Sequence, residues 1–475
     1  MPHPRFLPIA TLLALGACDL GPDYARPALE VPAAFRATTA SAAQAWPAPD
    51  WWRGFRSPEL DRLIAEAQAY NQDLAAAAAR VVQADAQVSI AGSPLLPTLT
   101  ATANGSYSRT GSAEVSGLSR TGAGHYFDSR QYSLQGNVSY EADFWGKNRA
   151  TYQSAQAAAL ASRFDQQTVA LTVVTSVATT YFQALGAADR LEVAQRNLAD
   201  ARQTLDVFRV RVEVGTATAL DVAQQEALVA GEAAQIPSFR SQYEQQVIGL
   251  GILVGRPPED IHITANTLAT LPTPTVGGGL PSELLARRPD VANAEATLVS
   301  QNGNVRAARA AFFPSIQLTA AGGIQSLAFS TLLGPGSLLV SAAASATQTV
   351  FDNGLEQGTL NQAKGRYSEL VADYRKAVLQ AFDDVDTALV AVRYAADQEA
   401  LEQHAVTVAQ RAADIARAQL AAGTVDITIV LNTETTLFTD QDELAQVRLA
   451  HFQALVTLYK ALGGGWKLPD VAGTS

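Results

Sequence analysis

The sequence predicts a mainly α-helical protein that also contributes strands to a membrane β-barrel. Three features predict it: two proline-free stretches of about 67 residues, four segments of alternating apolar and polar residues, and an internal repeat. Four strands cannot close a membrane barrel, which needs about eight or more and leaves no free edge in lipid. Several copies of the chain therefore have to share one barrel.

The 475 residues are 48% apolar and only 17% charged, with one Met and one Cys. That composition argues against disorder and against a disulfide or metal scaffold. The net charge of -11 and the absence of a basic cluster disfavour nucleic acid, because phosphate binding needs clustered Lys and Arg. No uninterrupted apolar run reaches the roughly 20 residues of a spanning helix. His3, His125, His262, His404 and His451 match no ligand or triad spacing, and no phosphate-cradling motif precedes a helix. Neither catalysis nor a cofactor nor a bound metal is expected.

From the N-terminus, Arg5 and the apolar run from Phe6 to Ala17 have secretory signal form, so residues 1–17 are read as a signal peptide. Leu15-Gly16-Ala17-Cys18 has the form of a bacterial lipobox, which makes Cys18 the acylated first residue of the mature chain. Each buried methylene of such an anchor contributes about 0.8 kcal/mol. Asp19 follows directly and bears on which membrane holds the anchor.

Glycines recur at an offset of 208: Gly146 with Gly354, Gly215 with Gly423, Gly255 with Gly463. Each copy reads strand, loop, strand, very long helix, tight turn, long helix. From Lys147 to Glu213, and again from Glu356 to Ala422, the composition supports a helix of some 100 Å at about 1.5 Å per residue. Leu191, Ala194, Leu198, Ala201, Leu205, Phe208 and Val212 keep coiled-coil spacing, as do Leu401, Ala405, Val408, Ala412 and Ile415. Val173, Val174, Val177 and Tyr181 lie off that seam, which predicts packing against neighbours on both sides rather than a simple hairpin. Ala223, Ala227, Ala230 and Ala234 predict close antiparallel helix contact, and Pro237 predicts a kink or break in the returning helix.

At the turns, Gly215 and Gly423 can take the left-handed conformation that ends a helix. Thr216 or Thr218, and Thr424 or Asp426, can cap the helix that follows.

The strands are placed at 97–108, 131–144, 314–325 and 338–351, with outward-facing loops at 109–130 and 327–337. Along the second strand Tyr132, Leu134, Val138 and Tyr140 alternate with Gln135, Asn137, Glu141 and Asp143. Such alternation fits a soluble sandwich as well as a barrel. The order Phe144-Trp145 followed by Lys147 favours the barrel, because aromatics and a snorkelling cation mark a membrane interface.

The segments CDLGPDYARP (18–27), DWWRGFRSPELDRLIAEA (50–67), RRPDVANAEATL (287–298), RAAFFPSIQL (309–318) and YKALGGGW (459–466) resemble the TolC-like outer-membrane factors, in particular the lipoprotein branch serving resistance-nodulation-division (RND) efflux pumps. The resemblance implies a homotrimer, with a twelve-stranded barrel in the outer membrane continued by a twelve-helix periplasmic tunnel. It implies an RND-type inner-membrane pump and a periplasmic adaptor as partners, the adaptor docking at Val214, Gly215, Thr216, Gly423 and Thr424. It also implies a periplasmic gate, for which Asp221, Asp426 and Asn432 are candidates. Leu420 and Val425 stand where relatives often place Tyr and Arg, and Asn432 where many carry Asp, which implies altered closing bonds. The organisation expected is signal peptide 1–17, lipidated segment 18–58, first repeat 59–255, linker 256–283 in the equatorial region, second repeat 284–466 and tail 467–475. The expected activity is passive conduction of drugs or other small molecules to the exterior, with no support for copper or silver as cargo.

Overall fold

The computed structural model describes residues 21, 24–29, 31–36, 46–112, 125–265, 267–277 and 279–468. The signal peptide, Cys18 and Asp19 lie outside the described residues. The chain divides into two compact units, Met1–Arg26 with Val82–Leu160 and Ala296–Ala372, and Pro27–Val81 with Ala161–Glu295 and Asp373–Ser475.

The first unit carries β1 (Thr98–Ser112), β2 (His125–Glu141), β3 (Ser315–Ser326) and β4 (Leu338–Thr347), an antiparallel sheet in sequence order. Its register stacks Leu99, Val138 and Ala320 in one row and Ala103, Leu134 and Ile324 in another, so one face is apolar across all four strands. The other face carries Thr100, Thr102, Gln135, Asn137 and Gln317. The apolar face is uncovered, with Leu99 and Val340 75% and 74% exposed, where a sheet of a water-soluble fold would pack it on a core. The sheet is thus inverted relative to one that folds onto an apolar core in water.

The strands differ from the sequence-derived bounds. β1 and β2 run further toward their connection, and β2 stops at Glu141 because Asp143 is used elsewhere. Its carboxylate accepts from the backbone N–H groups of Asn148 and Arg149 at 3.0 and 2.8 Å, capping the next helix. β4 likewise ends before Asp352, which accepts from Gly354 and Glu356 at the start of its helix.

The helices are α1 (Pro58–Tyr70), α2 (Gln72–Gly92), α3 (Lys147–Glu213), α4 (Ala219–Val254), α5 (Pro281–Leu284), α6 (Pro289–Ala310), α7 (Leu355–Ala421) and α8 (Ile427–Ala461). α3 and α7 are 67 residues each. α3 also holds a stretch apolar and long enough to cross a membrane, but 56% of it is buried within the protein. In the first unit α3 meets α6 where Gly303 leaves room for Ser154: an added Cβ would sit 2.8 Å from the Ser154 Cβ.

The second unit has its main core where Trp51, Phe55, Leu60, Leu63 and Ile64 pack on α3, α4, α8 and the linker residues Ile261 and Leu268. Trp51 stacks on Tyr459 at 4.5 Å, and Phe55 meets Phe182 edge-on at 4.8 Å. Val173, Val174, Val177 and Tyr181 are buried in this core. Their neighbours beyond the hairpin are the segment before α1, α1 itself and the linker. Burial raises the Tyr181 phenol to about 12, while its oxygen hydrogen-bonds Ser57 at 2.9 Å.

Two quoted motifs have structural reasons. In RRPD, Arg288 is buried and forks onto Asp290 and Asp384 at 2.6 and 2.8 Å, with Ala461 O also accepting. In GGGW, Gly463 has φ +81, and a Cβ there would lie 1.8 Å from Arg287 O, so only glycine fits.

One further expectation is corrected. Of the kink or break expected at Pro237, the break is absent and α4 continues through it; the loss of one backbone donor at an exposed position does not end a 36-residue helix packed elsewhere. The residues Ala223, Ala227, Ala230 and Ala234 are exposed, and α4 buries Gln225, Glu232, Phe239 and Val247 instead.

Candidate gate at the helical hairpin tips

The turn after α3 is closed by Thr216 N–H to Arg211 O at 2.8 Å and Gly215 N–H to Val212 O at 3.0 Å, with Gly215 at φ +75. The turn after α7 repeats this with Thr424 to Gln419, Gly423 to Leu420, and Gly423 at φ +72. This is the paired hydrogen-bond pattern that lets a helix end on a left-handed glycine. Val214 is exposed, and nothing lies within 4 Å of a Cβ added at either glycine.

The caps are resolved among the alternatives. Thr218, not Thr216, caps α4 in a reciprocal box: Asp221 N–H donates to Thr218 Oγ1 at 3.4 Å, and Thr218 N–H donates to Asp221 Oδ2 at 2.7 Å. Asp426, not Thr424, caps α8 by accepting from Thr428 N–H at 3.0 Å. The Thr428 hydroxyl and amide hold the Asp426 carboxyl below its ordinary range. Both candidate carboxylates are therefore engaged at their own turns. The Asn432 side chain makes no hydrogen bond among the described residues, while its carbonyl accepts from Thr436.

The side chains that tie the two hairpins together are ones the sequence did not single out. Arg211, near the end of α3, donates to Leu420 O near the end of α7. One turn or more further in, Glu434 on α8 is fully buried, and its Oε1 accepts from Thr204 Oγ1 of α3 and Arg417 Nε of α7, both at 2.9 Å. Arg417 Nη2 lies 3.9 Å from Asp200 of α3. Glu434 Oε2 and Arg417 Nη2 are buried without a hydrogen-bond partner. On α4, Gln225 is fully buried and donates to Ala201 O at 2.8 Å. Apolar contacts flank these groups: Phe208, Ala416, Leu420, Ile427 and Val430 toward the tip, Ala201, Ala413, Leu437 and Phe438 above. A cavity of about 380 Å³ opens among Asp200, Thr204, Phe208, Arg211, Arg417 and Leu420.

Glu434 had a readable signal. Ile427, Val430, Glu434 and Leu437 follow a 3-4-3 spacing, so a carboxylate occupies a core position of α8. Gln225 similarly stands in line with Val222 and Val229 on α4.

At the sheet end of α3, Trp145 Nε1 donates to Pro314 O at 2.8 Å, and its ring stacks on Phe313 at 4.9 Å. Lys147 pairs with Glu141 at 3.2 Å, while Phe144 is exposed.

The profile of the outer membrane efflux protein family matches residues 63–256 and 280–464. The pyoverdine export outer membrane protein OpmQ of Pseudomonas aeruginosa is 38% identical over 461 residues, 97% of this chain and 96% of that protein. The cation efflux system protein CusC of Escherichia coli is 29% identical over 467 residues, 97% of this chain and 99% of that protein. Among solved structures, the outer-membrane channel OprN superposes with a TM-score of 0.89 at 25% identity, covering 94% of this chain and all of that one. The CmeC channel of Campylobacter jejuni gives 0.87 at 26%, covering 95% and 96%. The chain belongs to the outer membrane efflux protein family. It is an outer-membrane efflux channel with a periplasmic part, and not an enzyme.

Proposed function

We propose that three copies form one pipe, a twelve-stranded barrel continued by a twelve-helix periplasmic tunnel, which passively conducts small molecules handed over by an RND-type inner-membrane pump through a periplasmic adaptor. The inverted sheet carries this reading. Its edges β1 and β4 are unpaired among the described residues, and an exposed apolar face with open edges is stable only when lipid covers the face and other copies close the edges.

A second observation supports self-association. Tyr394, Leu401, Val408 and Ile415 on α7 are exposed, the last three at intervals of seven. Counted inward from the equivalent tips, Ile415 and Val408 reach the level of the exposed small residues Ala223 to Ala234 on α4. Large residues of one copy then seat on the small stripe of the next, and the head-to-tail contact closes into a ring.

The tips formed by Val214, Gly215, Thr216, Gly423 and Thr424 are the adaptor-contact surface. The closed gate is held by Arg211 on Leu420 O and by the Glu434 cluster. Asp221 and Asp426 keep the turns rigid, and Asn432 is free to meet another copy. Pump and adaptor splay residues 211–222 and 419–432 to open the water-filled tunnel. Phe144, Trp145 and Lys147 mark the periplasmic membrane boundary, and acylated Cys18 anchors the mature N-terminus, so the order 1–17, 18–58, 59–255, 256–283, 284–466 and 467–475 is retained.

Relatives are named for export of pyoverdine, cations and toluene. Such different cargoes on one architecture support a conduit whose selection lies in the pump. Disulfide cross-linking of cysteines introduced at residues 211 and 420 tests the gate: export should fall to the level of a strain lacking the channel and return on reduction. Export unaffected by complete cross-linking would refute it.

A further inference from the structure

The four strands hold two basic residues of the Lys and Arg type, Arg109 and Arg130, and the register puts both on the apolar face rather than the polar one. Arg130 pairs with Tyr107, and Arg109 with Asp128; on this face these rows follow the apolar row of Ala103 and Leu134 after the one row of Gly105 and Tyr132. Both guanidiniums lie against tyrosine rings, Arg109 at 4.6 Å from the centre of Tyr126 and Arg130 at 5.7 Å from that of Tyr107. Asp128 takes up one edge of this cluster, accepting from Tyr107 Oη at 3.1 Å and facing Arg109 Nε at 3.5 Å. The cluster keeps a net positive charge, and its side chains are exposed.

We propose that Arg109 and Arg130 form a binding site for the phosphate of a membrane lipid headgroup on the outer rim of the barrel. A cation placed on a face that is otherwise apolar gains most where the apolar layer ends and anionic headgroups begin. Guanidinium suits that position, because its planar fork binds phosphate oxygens bidentately while one face stays on an aromatic ring. The strand ends bearing Arg109 and Arg130 are those remote from α3 and α7, hence on the outer side of a channel whose helices are periplasmic. The headgroups met there are phosphorylated glycolipid or anionic phospholipid. The proposal rests on the lipid-facing reading of the sheet.

The purified full-length channel is offered bis-phosphorylated lipid A, its dephosphorylated form, phosphatidylglycerol or phosphatidylcholine, and bound lipid is read by native mass spectrometry. Wild type should retain the bis-phosphorylated lipid about ten-fold over the dephosphorylated one, and R109Q/R130Q should abolish that preference. R109K/R130K should recover part of it, and D128N should strengthen it by freeing Arg109. A preference for lipid A over phosphatidylglycerol identifies a glycolipid source; equal retention of both, lost in R109Q/R130Q, identifies a general anionic-headgroup site. Conductance in a planar bilayer is the folding control and should be unchanged in R109Q/R130Q. A double variant that conducts normally and still retains phosphorylated lipid like wild type overturns the site, whereas a wild type that never inserts overturns the lipid-facing sheet instead.

Discussion

Arg417 of α7 and Glu434 of α8 meet at 2.9 Å in the core of the hairpin tips, and the carboxylate is wholly buried with one oxygen unpartnered. A buried pair of this kind is costly to break from one side, because the remaining charge is left without compensation, typically about 3–5 kcal/mol. Its partners lie on α3, α7 and α8, so it joins the two hairpins of one chain.

Breaking it from one side should loosen the gate. R417M is expected to raise conductance in planar bilayers and admit large antibiotics into cells, while R417M/E434L restores tightness by replacing charge with apolar packing. Conductance histograms for the three proteins check this, and equal leakiness of the single and double variants would count against it.

The capping box of α4 should be worth about 1 kcal/mol of local stability. T218A is expected to speed amide exchange at residues 219–222 without changing the closed-state conductance. D221N retains hydrogen-bonding capacity and should show the smaller effect. A large rise in leak in D221N alone would assign Asp221 a direct closing bond.

Gly186 is the single glycine of α3, and an added Cβ would stand 2.9 Å from a Leu449 methyl. G186V should therefore overpack the α3–α8 contact and cost about 1–3 kcal/mol. L449A in the same chain should return part of that loss. Thermal unfolding of the assembled protein reads both.

Glu399 accepts from His451 and from Arg448 at 2.7 and 3.0 Å, and its carboxyl is held below its ordinary value, chiefly by the His451 hydrogen bond. A carboxylate lowered on folding stabilises the fold above its unfolded value, and that contribution is lost as pH falls through the lowered one. Stability should therefore fall below about pH 4.5, the ordinary glutamate range. E399Q should be less stable at neutral pH and show a shallower acid loss, measured as denaturation midpoints from pH 3 to 7.

Most of the architecture was readable because each element repeats a simple period. The 67-residue helices follow from absent prolines, the turns from Gly215 and Gly423, and the sheet from alternation through Tyr132 to Tyr140. The strand ends were less readable, since Asp143 fits the alternation yet serves as a helix cap. That Trp51 and Phe55 cover Val177 and Tyr181 is not legible, because burial by residues distant in sequence leaves no periodic trace. At the gate the reading settled on carboxylates beside the turns. It passed over Glu434, whose place on an apolar helix stripe was visible, and Arg211, whose acceptor is a backbone carbonyl and so leaves no residue-type signal.

The exposed seam of α7 offers a separate check on assembly. L401E with V408E places charge on the exposed α7 stripe and should give monomers in mild detergent, while I90E on α2 should leave assembly intact. Mass photometry distinguishes the two.

The inversion of the sheet is tested most directly by cysteines introduced singly from residue 133 to 139 on a background with Cys18 replaced, each challenged in membranes with a charged and a lipid-soluble thiol reagent. Positions 133, 135, 137 and 139 should react with the charged reagent and 134, 136 and 138 with the lipid-soluble one. A reversed pattern, or one without alternation, would contradict a pipe that is wet inside and lipid-clad outside.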